Sequence, residues 1–367
     1  MSTRFQIGTL ALALSLGLGL TSGSGCDSTA PAQDASNRKQ ADGSWYGKLP
    51  NGTGIYIATT MPRSEWGIKT PLGWFYVTGF TNAAPEVILN GGYFSGGSFV
   101  TGKGFVTSAE WHGLFYNVKE ISTKGADLRL YVESGGATFE VAGEELNGVV
   151  LHLKIPSIFK RGDLQPYSLI FQSVKTLESV DKDIFGYEIV TVAENIPGAL
   201  KEPFCYRGDT GENERAQFST GSQWDVLTAG RTDDASLVSV SCASGGIGRC
   251  QQWGYRGWAE AQVASSGTYE KLVDAHQSCL YMKRADYCGN GDTYTEDGTM
   301  IGIDDNFSPA FQKSGGGEIE AVWGPTGAIC LTKQRRPDIA FPGCGTPLPL
   351  CDAGSYGGVW YTQSSHM

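Results

Sequence analysis

Three residues in this 367-residue chain invite a chemical reading first: His276, Asp286 and Tyr287. His276 lies three residues before Cys279, a spacing that brings side chains together on a helix. A Cys–His pair oriented by Asp286 is the raw material of acyl transfer, with Tyr287 as an acid. The hydrolase this describes is the alternative reading, because Cys279 is expected to be oxidised and a His on an apolar helix face is ordinarily packed and hydrogen-bonded. No G-x-S-x-G, H-E-x-x-H or P-loop pattern occurs. The only histidines are His112, His152, His276 and His366, too few for a multi-His metal centre.

Two other groups bear on ligands. Trp253, Tyr255 and Trp258, with Arg256 between them, offer ring faces to a sugar or peptide, although such aromatics more often pack around disulfides. Asp292, Glu296 and Asp297 share a polar loop with Asn290 and Thr295, close to Asp304 and Asp305. Hard oxygens at that density are candidates for calcium, but their spacing is not that of an EF-hand. The competing reading is a turn at Asp297-Gly298, with Asp286 capping a backbone amide. No cofactor is expected otherwise. Charge speaks against nucleic acid, since 28 Lys+Arg against 38 Asp+Glu leave a net charge of −10.

Cysteine usage says where such groups must work. Apart from Cys26, the cysteines are Cys205, Cys242, Cys250, Cys279, Cys288, Cys330, Cys344 and Cys351. Their number is even and all lie in the C-terminal half. The absence of C-x-x-C argues against structural zinc. Four disulfides in an oxidising compartment are expected, each contributing about 2–4 kcal/mol, with the pairing left open.

The N-terminus agrees with export. Ile7 to Leu20 is apolar or small, the length of a signal-peptide core and too short to cross a bilayer. Small residues lead to Cys26, in a segment that resembles the lipobox of bacterial lipoproteins, where the Cys thiol is acylated. Gly23 departs from that pattern, which has Leu at this place. Residues 1–25 are thus expected as a lipoprotein signal peptide. Residues 26–43, without a large apolar side chain, are expected as a disordered tether.

Period-two alternation marks the elements downstream. Leu128, Leu130 and Val132 alternate with Arg129 and Tyr131, and Leu151, Leu153 and Ile155 follow suit. Turn signals stand at Asn51-Gly52, Asn90-Gly91, Gly135-Gly136 and Asn147-Gly148. With 51 glycines, the chain reads as mainly β, α+β overall. The expected architecture is a sandwich or barrel over 44–185, then a disulfide-stapled β-rich domain with one amphipathic helix. That helix is placed near Thr268 to Lys283, with Thr268 as N-cap and Tyr269, Leu272, Val273, His276, Cys279 and Leu280 on one face.

Arg284-Ala285-Asp286-Tyr287-Cys288-Gly289-Asn290-Gly291 contains the motif that names the ADYC-domain family, and the surrounding segments are similar to it. They include Trp224-Asp225, Trp253-Gly254-Tyr255-Arg256-Gly257-Trp258, His276-Gln277-Ser278-Cys279, Thr295-Glu296-Asp297-Gly298-Thr299, Glu320-Ala321-Val322-Trp323 and Gly327-Ala328-Ile329-Cys330. The resemblance covers 186–335 and leaves 336–367 as a Cys-containing extension, where Cys344 and Cys351 look like an added pair. It implies an exported, disulfide-containing domain of mostly myxobacterial proteins and no established activity. Together these readings lead to an expected function: a cell-envelope lipoprotein of a Gram-negative bacterium, periplasmic or surface-exposed. It would be membrane-anchored through Cys26 and act as a binding or interaction module for a protein or glycan.

Overall fold

The structure, a computed structural model, describes residues 65–366 except 72, 96–97, 158–161, 178, 180–181, 208–211, 297–298, 315–316 and 352–359; before residue 65 it describes only short strand segments at 38–39, 45–46 and 49–50. The expected signal peptide, Cys26, most of the tether, the Asn51-Gly52 turn and Asp297 therefore lie outside the described residues.

Fifteen strands and two helices carry the argument. They are β1 (Gly73–Ala83), β2 (Glu86–Ser95), β3 (Ser98–Trp111), β4 (Leu114–Lys124), β5 (Asp127–Ser134), β6 (Ala137–Ala142), β7 (Val150–Pro156), β8 (Leu164–Thr176), β9 (Phe185–Ala193), β10 (Ala216–Trp224), β11 (Arg231–Cys242), α1 (Gly246–Gln252), α2 (Val273–Arg284), β12 (Met300–Asp305), β13 (Glu318–Gly324), β14 (Gly327–Leu331) and β15 (Thr362–His366).

Eight of these strands close on themselves. The antiparallel order β1-β2-β3-β7-β8-β9-β10-β11 returns to β1, so the choice left open between sandwich and barrel is a barrel. Closure removes the open sheet edges of these strands. The seam is β9 against β10, joined by one residue pair, Tyr187–Ala216. Arg215 reinforces it by donating to the carbonyls of Ser173 and Gly186 (3.3 and 3.1 Å). The barrel strands pass very close at Gly79, where a Cβ would stand 2.4 Å from the Val238 carbonyl oxygen.

The alternating positions supply the core. Leu151, Leu153 and Ile155 of β7 are buried with Leu169 and Phe171 of β8 and Phe75 and Val77 of β1. Strands β4, β5 and β6 continue from β3 as a three-stranded layer. Its apolar side (Ile121, Leu128, Leu130, Val132, Val141) is buried in the same core. Its other side carries the ion pairs Lys119–Glu133 and Arg129–Glu140. Tyr187 ties layer to barrel by accepting from the Leu128 amide (2.7 Å). The expected division at 185/186 falls where β9 begins, and the barrel runs on through β11.

The C-terminal lobe is a sheet in the order β14-β13-β15-β12, extended by the strand at 49–50, with α2 packed on it. The last strand, β15, lies between β13 and β12, so residues beyond 336 complete the middle of this sheet. Helix α2 starts at Val273, not near Thr268. Tyr269–Lys271 pairs as a strand with Glu260–Gln262, which takes the first expected helical turn and leaves Tyr269 exposed. From Ala275 to Arg284 every side chain of α2 is buried, polar ones included.

Four disulfides pair the eight cysteines that follow Cys26: Cys205–Cys242, Cys250–Cys279, Cys288–Cys344 and Cys330–Cys351. Cys250–Cys279 locks α1 to α2. Cys344 and Cys351 do not pair with each other, because each ties the C-terminal segment to a separate point of the lobe.

Candidate functional site

The signature segment follows directly from the end of α2. Ala285 takes a left-handed conformation (φ 51°) and is completely buried, so a small side chain is needed. Its amide donates to Met282 O (3.1 Å) and the Asp286 amide to Tyr281 O (3.0 Å), a Schellman ending. The Asp286 carboxylate then accepts the amides of Asn290 (3.1 Å) and Gly291 (2.9 Å) and folds the next loop back on itself. Burial raises the Asp286 pKa, opposed by the Arg284 charge and these amides. Gly289 (φ 62°) has no room for a Cβ, which would sit 2.2 Å from Thr326 O.

Tyr287 is the centre of the lobe. Its ring stacks between Tyr294 and Trp323 (centroids 5.7 and 5.4 Å). Its hydroxyl donates to Glu320 (3.0 Å) and accepts from the Arg335 amide (2.8 Å). Arg335 closes the ring of contacts: its Nε donates to Glu320 (2.9 Å), while both its Nη groups donate to the last carbonyls of α2. The ion pair is buried on both sides (1% and 0% exposed). Desolvation pushes the Tyr287 pKa far up, so the phenol stays protonated and donates to Glu320. Each residue of the A-D-Y-C run thus has a place in the packing: helix end, loop clamp, core ring and, at Cys288, a disulfide.

The structure does not assemble His276, Asp286 and Tyr287 into one site. His276 sits in the first turns of α2 and Asp286 beyond its end, about 15 Å apart at 1.5 Å rise per residue. The His276 ring lies edge-on to Trp224 (4.9 Å), and Nε2 is 3.0 Å from Ile247 O, which fits a donated N–H. Burial lowers its pKa to about 4. Cys279 is held in its disulfide.

Nor do the expected ligand aromatics form a surface. Trp253 and Tyr255 are core residues, and the Tyr255 hydroxyl donates to Asp305 (3.2 Å). Arg256 pairs with Asp183, and Trp258 packs over the turn at Gly125. In the polar loop, Asp292 accepts from the Asn290 side chain (2.9 Å) and Glu296 pairs with Arg336. Among the described residues no group of three His, Cys, Asp or Glu is gathered as metal ligands.

A concave site does exist, elsewhere. On the outer side of the barrel, β1, β2, β3, β10 and β11 line a cleft of about 510 Å³, within the usual size of small-ligand sites. Its apolar part is Ile88, Phe99 and Leu237; around them stand Thr78, Thr81, Thr101, Asn90 and Gln223, with Lys103 and Asp234 as the two charges. The Asn90 side chain donates to Thr81 (2.7 Å), which fixes its orientation. Asp234 accepts from the Ser236 hydroxyl and amide (2.6 and 2.9 Å), and these bonds keep its pKa below the usual carboxylate value. The available signal was the out-facing half of the alternation in β1 to β3, beside Asn90-Gly91. That signal does not reveal that β10 and β11 complete the site.

The fold and the stapled lobe define a β-barrel protein whose C-terminal region is cross-linked by four disulfides. Bonds of this kind mark a protein that matures in an oxidising, extracytoplasmic compartment. The family model of the ADYC domain matches residues 136–337. The chain is a member of the ADYC-domain family. The match begins within the β5–β6 hairpin, so it takes in part of the barrel as well as the lobe. No curated protein and no solved structure matches the chain. No helix among the described residues is long and apolar enough to cross a membrane.

Proposed function

We propose that this protein is a cell-envelope lipoprotein, anchored through a lipid on Cys26, whose barrel binds a neutral, hydroxyl-rich ligand, a glycan, in the outer cleft. The observation that carries this reading is the lining of the cleft. Neutral donors and acceptors from Asn90, Gln223, Thr78, Thr81 and Thr101 outnumber the two charges and surround a small apolar floor. Sugars present that mixture, hydroxyls at the rim and C–H faces between. Lys103 and Asp234 carry opposite signs, which favours a ligand without net charge. Ligand recognition is thereby assigned to the barrel, while the signature segment holds the lobe together.

Calorimetric titration with a panel of neutral oligosaccharides tests the reading. Asn90→Ala and Gln223→Ala are expected to weaken binding of the responsive sugar at least about tenfold, or 1.4 kcal/mol each, with unchanged melting. Equal affinity in both variants would remove the cleft from consideration. Palmitate labelling of the wild-type chain, lost in Cys26→Ser, tests the anchor.

A further inference from the structure

The outer cleft arranges its polar and apolar groups in a definite order. Phe80, Val87, Leu89 and Val238 belong to the core. The alternate residues Thr81, Ile88, Asn90 and Leu237 therefore share the outer face, and all four line the cleft. Register sets Thr81 in the middle of a row, directly opposite Leu237 of β11 on one side and Ile88 of β2 on the other. Asn90 follows Ile88 by two residues and stands diagonally from Thr81. Thr81, Ile88 and Asn90 are half-buried.

The hydrogen bond between Asn90 and Thr81 (2.7 Å) fixes what the two side chains offer a ligand. Asn90 Nδ2 donates to the Thr81 hydroxyl oxygen, which leaves Asn90 Oδ1 as an acceptor and the Thr81 O–H as a donor. Turning the amide over exchanges the two roles and leaves the same pair. Adjacent hydroxyls on a sugar ring are spaced for such a pair, one accepting and the other donating. A trans amide is not, because its N–H and C=O point in opposite directions. Each of the five strands lining the cleft also has a partner on both sides, so the cleft offers a peptide no sheet edge.

Beyond Thr81 the polar row ends. The residues opposite it, Ile88 and Leu237, present only hydrocarbon, and Leu237 is 1% exposed. An ordinary hexose that places two ring hydroxyls on Asn90 and Thr81 carries its hydroxymethyl on the next ring carbon. That hydroxyl would lose water against Ile88 and Leu237 without gaining a partner, and the carboxylate of a uronic acid would lose more. A methyl group fits there. On the other side of Asn90, Phe99 lies across Gly92, whose Cβ would stand 2.8 Å from a ring atom of Phe99. The rest of the sugar thus meets a flat apolar face.

We propose that the cleft selects a deoxyhexose, a sugar whose terminal hydroxymethyl is replaced by methyl. Asn90 and Thr81 hold two adjacent ring hydroxyls, and the methyl group packs between Ile88 and Leu237. The inference rests on the reading of the cleft as a glycan site and names the sugar it takes.

Matched pairs test it, because each pair differs in a single hydroxyl. Methyl glycosides of L-rhamnose and L-mannose form one pair, and those of L-fucose and L-galactose the other. Titrations followed by saturation-transfer NMR on the full chain are expected to show one deoxyhexose bound at least about tenfold more tightly than its hydroxylated counterpart. Its terminal methyl protons should receive the strongest transfer. Thr81→Val, which removes the hydroxyl and keeps the shape, should weaken that sugar about tenfold. Thr81→Ser should retain it. Ile88→Thr gives the extra hydroxyl a partner and should narrow the preference, with melting unchanged. Neutral oligosaccharides that bind while neither deoxyhexose shows an advantage overturn this inference and leave the glycan reading standing. No binding by any sugar overturns both. A preference that survives Thr81→Val and Ile88→Thr unchanged also overturns the inference, since it would place the methyl group elsewhere.

Discussion

The barrel and the C-terminal lobe solve the same problem with different materials. Between β1 and β9 there is no cysteine, and the interior is an alternating set of Val, Leu, Ile and Phe sealed by strand closure. The lobe surrounds a helix that buries His276, Gln277, Ser278, Lys283 and Arg284. Its centre holds the buried pair of Arg335 and Glu320, and disulfides stitch its segments together. Apolar burial needs no exact partner, only area removed from water. A buried charge needs every neighbour in place. The lobe therefore depends on cross-links and on a specific sequence, which gives a physical reason for its recognisable motif.

The largest effect that would test this contrast is reduction. At about 2–4 kcal/mol per bridge, the three bridges within the lobe contribute about 6–12 kcal/mol, comparable with the 5–15 kcal/mol net stability of a typical domain. Hydrogen exchange after reduction should show α1, α2, β13 and β14 losing protection, while β5, β7 and β8 keep theirs. Simultaneous loss in both regions would break the contrast and make the molecule one cooperative unit.

A smaller effect sharpens it. Glu320→Leu leaves Arg335 buried without its counter-charge and is expected to cost about 3–5 kcal/mol, recovered in large part when Arg335→Met is added. In the barrel, Leu151→Ala is expected to cost about 2–5 kcal/mol, with no second-site change at a charge able to restore it. Denaturant melts of the four proteins measure both.

The smallest effect is a pH dependence confined to the lobe. The folded His276 has a pKa near 4, below the ordinary 6.5, so between these values the unfolded chain binds the extra proton. The stability this provides is complete above pH 6.5 and lost as pH falls toward 4. The full span is on the order of 3 kcal/mol. The melting temperature of His276→Gln should therefore gain on that of the parent chain as pH falls from 6.5 toward 4. A constant difference between the two proteins would move the titration to another group. Asp305 acts in the opposite sense. Burial raises its pKa to about 8 even though its carboxylate accepts from Tyr255, Phe307, Phe311 and Gln312, so its share of stability declines as pH rises from about 4 to 8.

Much of the local structure was legible from spacing. Leu128, Leu130, Val132, Leu151, Leu153 and Ile155 announced strands that are strands, because alternation is a property of neighbouring residues. The start of α2 was misplaced for the same reason: Tyr269 and Leu272 fit the helical period, yet Tyr269–Lys271 is held by Glu260–Gln262, a long-range choice. Helix α1 gave no signal, since Gly246 and Gly248 lower helix propensity and Cys250 holds it to α2. Trp253 and Tyr255 read more readily as core than as a ligand surface, and their neighbours make them core.

By itself the sequence determined the β character, the even set of cysteines in one half, and the A-D-Y-C segment with its family membership. These rest on composition and on patterns a few residues long. Barrel closure through Tyr187 and Ala216, the pairing of the cysteines, the separation of His276 from Asp286, and the cleft built from β1 to β3 with β10 and β11 were decided by tertiary structure alone. Each joins residues far apart in the chain, and which distant groups meet depends on the packing of the whole molecule.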